Sequence, residues 1–454
     1  MEHKDTIVIG AGLTGLSTAF HLNEKKADFL VLEKDNRPGG VIQTLNDCGF
    51  TYEKGPNTGT LSNIETVEMF EKLGNLCTLE TAKTEAQKRY ILKNGSPHAL
   101  PSGLISAIQT PLFTFKDKLR ILGEPFRKRG NDPDENLADL VKRRMGKSFL
   151  DYAIDPFLSG IYAGDPEYLV TQYATPKLYA LEQNYGSFVR GSLQKKLKRS
   201  AKEKKITRQV FSAKGGLSNF TNALYTRSGK ENFLFSVSHI QIQKNKEGFI
   251  LKIKANNQER LFSCNHLITT TGAYSLPDFL TFISKEKLSP ISRLKYAKII
   301  SINIGFKQWE GIPLDAFGIL IPSKEKRKLL GYLFMSAFLE GRVPSGGALL
   351  TVFMGGTKNE KIFNLSDQEI RTLLSEETVP LLRLKKFNPD LFVTNRYAHA
   401  IPQYGKDSRE RLAAINNLEK EYPGLLLGGN FVGGIGMANR ISEGKRLADK
   451  VLQK

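Results

Sequence analysis

The chain opens its first helix with a glycine-rich stretch, Gly10-Ala11-Gly12-Leu13-Thr14-Gly15. A short β-branched run at residues 6–9 precedes it, and residues 14–23 show helical spacing. Gly10 permits a tight turn, Gly12 lets the backbone approach a pyrophosphate, and Gly15 lets the helix pack closely on the strand. The helix N-terminus offers unpaired N–H groups to phosphates. These residues predict a Rossmann-like dinucleotide site; the alternative is a glycine turn without a ligand.

An acidic residue stands where such a unit binds a ribose. The second predicted strand, Phe29–Leu32, ends in Glu33, which follows Gly15 by 18 positions. A carboxylate there accepts hydrogen bonds from ribose hydroxyl groups and repels a 2′-phosphate. The carboxylate of Glu33 therefore disfavours NADP.

Composition limits the class of protein. The 454 residues suggest two or three domains, and 40% of them are hydrophobic, as in an ordinary globular chain. No run approaches the ~20 apolar residues of a membrane-spanning helix. The three cysteines, Cys48, Cys77 and Cys264, fit neither a disulfide framework nor a zinc site. We therefore expect an intracellular, reduced protein without a metal.

The chain carries a large positive charge. Its 66 Lys and Arg residues exceed its 46 Asp and Glu residues by 20, which favours nucleic acid, anionic lipid or a polycarboxylate substrate as a partner. Charge alone does not choose among them. A basic cluster is the densest part of this surplus, and a solvated helix face is its simplest interpretation; it contains Lys195, Lys196, Lys198, Arg199, Lys202, Lys204, Lys205 and Arg208.

Different structure is predicted along the chain. Helical spacing with interspersed basic residues marks residues 102–208, and short strand-like runs fill residues 232–268. Residues 291–400 mix strands with one helix, at 366–382. The chain closes with a strand, Leu425–Leu427, a glycine-rich turn and a helix, Met437–Leu452.

Two further motifs resemble those of one flavoprotein superfamily. Glu33-Lys34-Asp35-Asn36-Arg37-Pro38-Gly39-Gly40 resembles the acidic-residue–Gly-Gly extension of the amine oxidase–phytoene desaturase flavoproteins. Residues 428–437 resemble their C-terminal flavin motif, in which a helix directs its positive end at the flavin. The resemblance implies FAD, held by the glycine loop and by Glu33, Lys34, Arg37, Gly39, Gly40, Gly55, Pro56, Asn57, Ile240, Gly429, Asn430, Gly436 and Met437.

Five more segments resemble one branch of that superfamily, the oxygen-dependent protoporphyrinogen oxidases. They cover essentially the whole chain in order, and they are DPFLSGIYAGDP at 155–166, LEQNYGS at 181–187, FSAKGGL at 211–217, FGILIPSKE at 317–325 and AIPQYG at 400–405. The family usually continues the last motif with His, whereas this chain has Lys406.

The resemblance implies an α/β fold of three parts. We expect a Rossmann-like FAD-binding domain from residues 1–85, 209–272 and 397–454, and a mixed-sheet substrate domain from 86–101 and 273–396. Residues 102–208 would form an inserted, helical, membrane-associated domain. The protein would then be cytoplasmic and peripheral on the inner face of the membrane, without nucleic acid as a partner, and the family allows a homodimer.

The implied reaction needs no catalytic side chain. Porphyrinogen oxidation removes six electrons and six protons, as hydride equivalents delivered to the flavin N5 atom, and dioxygen reoxidises the flavin to give hydrogen peroxide. The family implies that Arg89 binds a substrate propionate, because its planar fork matches a carboxylate. Further substrate-binding candidates on this resemblance are Ala163, Gly164, Leu320 and Phe334.

Several functions stay open at this point. Protoporphyrinogen IX is the first choice of substrate, and coproporphyrinogen III, with four propionates, is the alternative that the positive charge favours. An amine oxidase or carotenoid desaturase is more remote. A basic, non-catalytic membrane scaffold is a further alternative, and it would bind no flavin.

Overall fold

The computed structural model of the protein describes residues 1–197 and 205–453. Of the predicted basic cluster, Lys198, Arg199, Lys202 and Lys204 therefore lie outside the described residues. The described chain forms a mixed α/β fold with two large sheets and a helical segment.

The first sheet contains both ends of the chain. Glu2–Ile9 lies between two parallel neighbours, Phe29–Leu32 and Gln258–Thr269, and residues 6–9 are buried because the sheet is covered on both faces. The strand begins at Glu2, earlier than predicted, because Glu2 pairs with Phe262. The order across the sheet is Phe233–Leu234, Phe29–Leu32, Glu2–Ile9, Gln258–Thr269, Phe249–Ala255 and Val237–Lys244, and Leu425–Leu427 also pairs with Gln258–Thr269.

The first and last helices pack closely on this sheet. Leu13–Glu24 contacts Met437–Leu452 where Gly444 allows close approach, since a Cβ atom on Gly444 would lie 2.6 Å from the Thr14 carbonyl oxygen. Ser17 donates a hydrogen bond to the Ile441 carbonyl oxygen at 2.8 Å. The other helices of this half are Ile64–Leu73, Leu217–Arg227, Leu276–Phe279, Lys285–Ser292 and Ser408–Glu421.

The second sheet is mixed and carries its own core on one face. That core includes Ile302, Phe334 and Leu374, the last from the helix Asp367–Leu382, which Ser366 caps by accepting from the Glu369 N–H. The strand order is Leu391–Pro402, Tyr296–Phe306, Ala348–Gly355, Leu329–Leu333, Gly318–Leu320, Arg89–Lys93 and Ser96–Ala99, and Met335–Phe338 is a short helix beside them.

Two small sheets lie alongside. Thr44–Asp47 pairs with Phe50–Glu53. Val210–Ala213 pairs with both Gly59–Thr60 and Leu79–Thr81. Short 3₁₀ turns complete the chain at Gly74–Leu76, Thr84–Ala86, Glu124–Phe126, Lys230–Asn232, Ala273–Ser275, Ser323–Glu325 and Glu360–Asn364.

The helical segment is organised around a buried ion cluster. The guanidinium of Arg144, which is fully buried, binds carboxylates of Glu124 and Glu182 at 2.6 and 2.7 Å. The helices of the segment are Leu104–Gln109, Phe115–Leu122, Leu137–Arg144, Lys147–Phe149, Asp155–Ile161, Thr171–Ala174, Pro176–Tyr185 and Phe188–Leu197, with a π-helical turn at Leu150–Ile154. Across the described ranges, no helix is both long enough and apolar enough to cross a bilayer.

One long strand of the second sheet crosses the predicted boundary between the substrate domain and the FAD-binding domain. Leu391–Pro402 begins beside Tyr296–Phe306 in the second sheet and continues to the predicted boundary at residues 396 and 397 and beyond it. The ladder continues past that point because Tyr296 and Ala297 pair with Pro402 and Ile401. The three-part division itself stays a prediction.

Candidate functional site

The glycine loop connects Glu2–Ile9 to Leu13–Glu24 and opens toward free space. Gly10 has a φ of +103°, and its N–H donates to the Leu32 carbonyl oxygen at 2.8 Å. A Cβ atom on Gly15 would lie 1.9 Å from the Gly10 carbonyl oxygen, whereas a Cβ atom on Gly12 would meet nothing within 4 Å. The fold therefore requires Gly10 and Gly15, but it does not require Gly12. Gly12 is the N-cap of the helix, and the open space over it leaves room for a ligand to approach the backbone.

Glu33 lies beside this loop with a buried carboxylate. It accepts hydrogen bonds from the N–H groups of Ala11, at 2.6 Å, and Asp35, at 2.9 Å. Each carboxylate oxygen keeps a second lone pair, so Glu33 retains acceptor capacity toward a ribose. The neighbouring Lys34 is exposed.

The second glycine pair packs directly onto the first loop. The Gly39 N–H donates to the Ala11 carbonyl oxygen at 2.8 Å, and a Cβ atom on Gly40 would lie 3.2 Å from the Gly12 Cα atom. Arg37 fixes this turn, and its guanidinium donates to the carbonyl oxygens of Pro38, Gly40 and Ile42. Those bonds give Arg37 a role in shaping the turn.

Residues 55–57 come from a third segment. A Cβ atom on Gly55 would lie 2.0 Å from the Val41 carbonyl oxygen, so the two backbones are in direct contact. Pro56 is half-buried, and Asn57 is buried with its Oδ1 atom 3.0 Å from the Thr351 hydroxyl. Val41 itself is 62% exposed, an apolar side chain left open beside the glycine pairs.

The C-terminal glycine segment meets the same edge of the first sheet. The Gly428 N–H donates to the Thr269 carbonyl oxygen at 2.9 Å, and Thr270 Oγ1 donates to the Gly10 carbonyl oxygen at 3.0 Å. The carboxyl ends of the parallel strands thus bring the two distant glycine motifs together. Gly429, at a φ of +131°, leads to Asn430.

Two tyrosines and a helix end hold this segment. Tyr296 donates to Asn430 Oδ1 at 3.2 Å, and the Tyr404 hydroxyl donates to the Asn430 carbonyl oxygen. Burial raises the pKa of Tyr404 to about 12 and raises that of Tyr296 as well, so both are donors at neutral pH. Gly436 is the N-cap of the helix that starts at Met437.

The described site fits a dinucleotide that carries an anionic, hydrogen-bonding ring. The open space over Gly12 lies at a helix N-terminus, which suits a pyrophosphate. Thr271 Oγ1 and two nitrogens of Arg440 are buried without a hydrogen-bond partner. Unpaired buried polar atoms are rare in folded proteins, so these groups are consistent with a site that a ligand completes.

Ile240 lies apart from this group. It lies within the irregularity between Ser238 and Gln241 and packs against the core of the first sheet. Ser236 and Val237 are nearer, because their N–H groups donate to the carbonyl oxygens of Asp35 and Glu33 at 3.0 and 2.9 Å. Sequence reasoning missed them, since only the bend at Ser236, with a φ of +55°, marks the place where the strand turns.

Arg89 lies on the face of the second sheet that is directed toward residues 55–57. The pairing register aligns Arg89 with Gly318, Leu333, Thr351 and Asn303 in one row across the strands. Thr351 in that row donates a hydrogen bond to Asn57. The side chains of this row therefore lie on the face that meets residues 55–57. The Arg89 side chain is exposed, and its guanidinium stacks 5.4 Å from the ring centre of Phe317.

Next to Arg89 this face carries two buried glycines and half-buried apolar side chains. Gly318 and Gly331 stand in two adjacent rows, where a Cβ atom would lie 1.9 and 2.5 Å from backbone oxygens of the partner strand. Half-buried Leu320, Leu333 and Phe353 flank them. The result is a shallow trough with glycine in its floor and apolar walls, which suits a flat ring.

Phe334 does not belong to this trough, contrary to the sequence-based expectation. It is 1% exposed and packs in the core on the opposite face of the sheet, with Ile302 and Tyr332. Side chains alternate between the faces of a strand. Leu333 therefore takes the position that was predicted for Phe334.

Ala163 and Gly164 close one end of the trough and are themselves covered. Ala163, at a φ of +46°, packs with Ile299 and half-buried Phe353. A Cβ atom on Gly164 would lie 2.4 Å from Gln403 Oε1, so the Gln403 side chain fills the space beside this glycine. Leu320 meets the same helical segment, 2.7 Å from a Cβ atom placed on Gly160.

Known proteins resemble this chain over nearly its whole length. The family model of flavin containing amine oxidoreductases matches residues 13–452. Protoporphyrinogen oxidase 2, chloroplastic/mitochondrial, of Arabidopsis thaliana is 28% identical, with 99% of this chain and 94% of the relative covered. Coproporphyrinogen III oxidase of Bacillus subtilis is 23% identical, with 99% and 98% covered.

A solved structure shows the same fold. A protein from Exiguobacterium sp. 255-15, provisionally named as a protoporphyrinogen oxidase, superposes with a TM-score of 0.81 over 99% of both chains. Its sequence is 20% identical, so this likeness concerns the fold alone.

Proposed function

The chain belongs to the flavin containing amine oxidoreductases and is an FAD-dependent oxidoreductase; we propose that it oxidises protoporphyrinogen IX to protoporphyrin IX in haem synthesis. The observation that carries this proposal is the position of Arg89, an exposed guanidinium at the edge of an apolar trough that adjoins the dinucleotide segments. The cofactor residues proposed are those named from the sequence, with Ser236 and Val237 in place of Ile240.

Arg89 is suited to a carboxylate ligand because it has none within the protein. Among the described residues, no Asp or Glu oxygen lies within 4.0 Å of its guanidinium, and Phe317 supports it from one side. The adjacent Lys88, in contrast, is paired with Asp315 at 2.7 Å. Arginine binds carboxylates in a bidentate geometry, so Arg89 would hold a propionate at the rim.

The trough accounts for the shape of the proposed substrate. A bulky side chain at Gly318 or Gly331 would collide with the neighbouring strand, so the floor stays flat. Leu320, Leu333 and Phe353 would contact the faces of the macrocycle. Ala163 would lie at the far edge of the macrocycle, where it packs against Phe353.

The proposed reaction consists of three two-electron oxidations, and together they remove six electrons and six protons. The bound FAD supplies the redox chemistry, and dioxygen is the proposed acceptor, with three molecules reduced to three of hydrogen peroxide. The chain orients the substrate through Arg89 and the trough. Protons from carbon and nitrogen pass to solvent, so no side chain is assigned as a base.

The test compares two porphyrinogens. The purified protein with FAD is incubated with protoporphyrinogen IX or coproporphyrinogen III, and porphyrin fluorescence is followed against a blank without protein. We expect faster formation of protoporphyrin. Absence of any porphyrin above the blank would exclude the whole proposal.

Coproporphyrinogen III is the second candidate because of charge. Its four propionates suit a chain with a surplus of 20 positive charges, and one of the relatives is a coproporphyrinogen III oxidase. A clear preference for this substrate in the same assay would replace protoporphyrinogen IX in the proposal.

We further propose that residues 102–208 form a membrane-associated domain that contacts an anionic leaflet on the cytoplasmic side. The helix Phe115–Leu122 buries none of its side chains, although Phe115, Leu119 and Leu122 share one face. The same helical segment exposes further apolar side chains, namely Ile105, Ile108, Phe126, Val189, Leu193 and Leu197. Basic residues at 116, 118, 120, 195 and 196 border this surface, a combination that suits anionic headgroups.

Vesicle binding tests this surface. We expect the protein to sediment with vesicles that contain phosphatidylglycerol at low salt, and Phe115→Ser with Leu122→Ser to abolish it. Leu261→Ser, at the exposed start of the strand Gln258–Thr269 in the first sheet, is the control that should bind normally. Equal binding by all three proteins would contradict the proposed surface.

A further inference from the structure

A buried arginine lies beneath the C-terminal glycine segment. Arg440 is in the first turn of Met437–Leu452 and is 8% exposed. Its Nη2 atom donates to the Val432 carbonyl oxygen at 3.1 Å, and a Cβ atom on Gly433 would lie 3.8 Å from the same nitrogen. Nε and Nη1 are buried and have no hydrogen-bond partner.

The charge of Arg440 is not neutralised by the protein. Glu443, one turn away, is also buried, but its carboxylate binds Arg446 through two hydrogen bonds of 2.7 and 3.0 Å. Among the described residues, no Asp or Glu oxygen lies within 4.0 Å of an Arg440 nitrogen. Glu443 therefore acts on the Arg440 charge only from beyond 4.0 Å, and the guanidinium beneath residues 428–436 has no direct ion pair among the described residues.

A second buried arginine nearby shows the contrast. Arg411, 1% exposed, donates to Asp407 at 2.9 Å, to Ser408 at 2.7 Å and to the Phe431 carbonyl oxygen at 3.3 Å. All three of its nitrogens have partners, and it fixes the same segment structurally. Arg440 is also buried but has a partner for only one of its three nitrogens, so a purely structural role does not explain the other two.

An unpaired buried charge costs folding free energy, because the guanidinium loses its hydration without gaining an anion. Burial lowers the pKa of Arg440, yet arginine does not lose its proton in proteins. The positive charge therefore persists in the interior. Such a charge is useful where negative charge develops during a reaction, since a fixed charge in a dry site acts strongly.

We propose that Arg440 stabilises the reduced, negatively charged form of the bound FAD and thereby raises its reduction potential. The segment above Arg440 is the second of the two glycine motifs that the FAD site comprises, and both Asn430 and the helix end at Gly436 belong to it. The effect is electrostatic and acts through this segment. The proposal rests on the FAD site and not on which porphyrinogen is oxidised.

The direct test is the midpoint potential of the bound FAD, measured by reduction in equilibrium with a reference dye. We expect Arg440→Met and Arg440→Gln to lower the potential, because the affinity for reduced relative to oxidised FAD falls at least tenfold. For a two-electron couple a tenfold change corresponds to about 30 mV. Arg440→Lys keeps the charge and should keep most of the potential.

Thermal unfolding of the FAD-free protein separates this role from a structural one. Since Arg440→Met removes an uncompensated charge, the variant should be at least as stable as the wild-type protein without FAD. A less stable variant with an unchanged potential would show that Arg440 is structural and would overturn the proposal.

Lys450→Gln is the matched control for net charge. Lys450 is on the same helix and pairs with Glu419 at 2.8 Å on the surface, so its loss should leave the potential unchanged. A shift as large as that of Arg440→Met would refute the local effect. A wild-type protein that holds FAD but forms no porphyrin would contradict the proposed function, and the potential would still decide the role of Arg440.

Discussion

Thr351 donates a hydrogen bond to Asn57 across the junction between the two sheets, with 3.0 Å between Oγ1 and Oδ1. The same hydroxyl lies 2.9 Å from Oδ1 of Asn303, whose Nδ2 donates to the Glu53 carbonyl oxygen at 3.0 Å. The second sheet is thereby joined to the segment that continues through Gly55 to Asn57. This network aligns the row that contains Arg89 with the proposed flavin site.

Thr351→Val should weaken that junction. The substitution keeps the side-chain shape but removes the single hydroxyl proton that the two buried amide oxygens share, which costs about 1–3 kcal/mol. Urea unfolding of the FAD-loaded protein measures this loss. Thr351→Ser restores the hydroxyl and should recover most of the stability; an unchanged unfolding free energy in the valine variant would contradict the role of the network.

Gly12→Ala should separate folding from cofactor binding. A methyl group at this position meets no protein atom within 4 Å, so the FAD-free protein should unfold at nearly the wild-type temperature. The methyl group occupies the space over the loop where we place the pyrophosphate, so FAD affinity should fall by more than about tenfold. Fluorescence titration with FAD measures the loss.

Gly15→Ala is the counterpart of that variant. Its methyl group would lie 1.9 Å from the Gly10 carbonyl oxygen, so this variant should lose stability even without FAD. If Gly12→Ala destabilised the FAD-free protein equally, the loop would be close-packed at both positions.

Arg89→Met should raise the KM for porphyrinogen more than it lowers kcat. A hydrogen-bonded charge pair contributes about 1.5–3 kcal/mol, equivalent to roughly 10- to 100-fold in binding. Steady-state kinetics with purified protoporphyrinogen IX measure the effect. Lys88→Met removes a neighbouring charge that Asp315 already neutralises, and it should leave the KM close to the wild-type value.

The helical segment should lose stability in acid through Glu124. Burial alone would raise the pKa of Glu124, but hydrogen bonds from Ser187, Phe188 and Val189 outweigh it and hold the pKa below its ordinary value of 4.5. The folded state therefore gains stability from this carboxylate above about pH 4.5, and loses it as the pH falls through the lowered pKa.

Ser187→Ala tests this pH dependence, because it removes the 2.5 Å hydrogen bond to Glu124. The variant should be destabilised more at pH 7 than at pH 3.5 in urea unfolding followed by circular dichroism. An equal loss at both pH values would show that the hydroxyl acts only by packing.

The dinucleotide unit was predictable because its signals are local. The strand Phe29–Leu32 and the helix Met437–Leu452 have the predicted bounds, and Leu13–Glu24 differs by one residue at each end. Glycine spacing and a buried β-branched run determine such elements without distant contacts. The membership of the flavoprotein family followed from the order of these motifs and is confirmed by the family match.

The substrate side was harder to predict because it depends on strand register. A shift of one residue exchanges the two faces of a strand, which is why Phe334 was expected where Leu333 lies. Ser236 and Val237 were missed for a related reason, since their backbone N–H groups, not their side chains, contact Asp35 and Glu33. Backbone contacts leave little trace in residue type.

Tyr404, just beyond the strand Leu391–Pro402, bonds Asn430 on the FAD side, and Tyr397 within that strand donates to the Lys54 carbonyl oxygen at 2.5 Å. Together with the hydrogen bond between Thr351 and Asn57, these make three separate attachments between the second sheet and the segments that contain Lys54, Asn57 and Asn430. Any hinge movement between the two sides would have to break these hydrogen bonds first. Entry of a tetrapyrrole without such a movement would leave all three attachments intact.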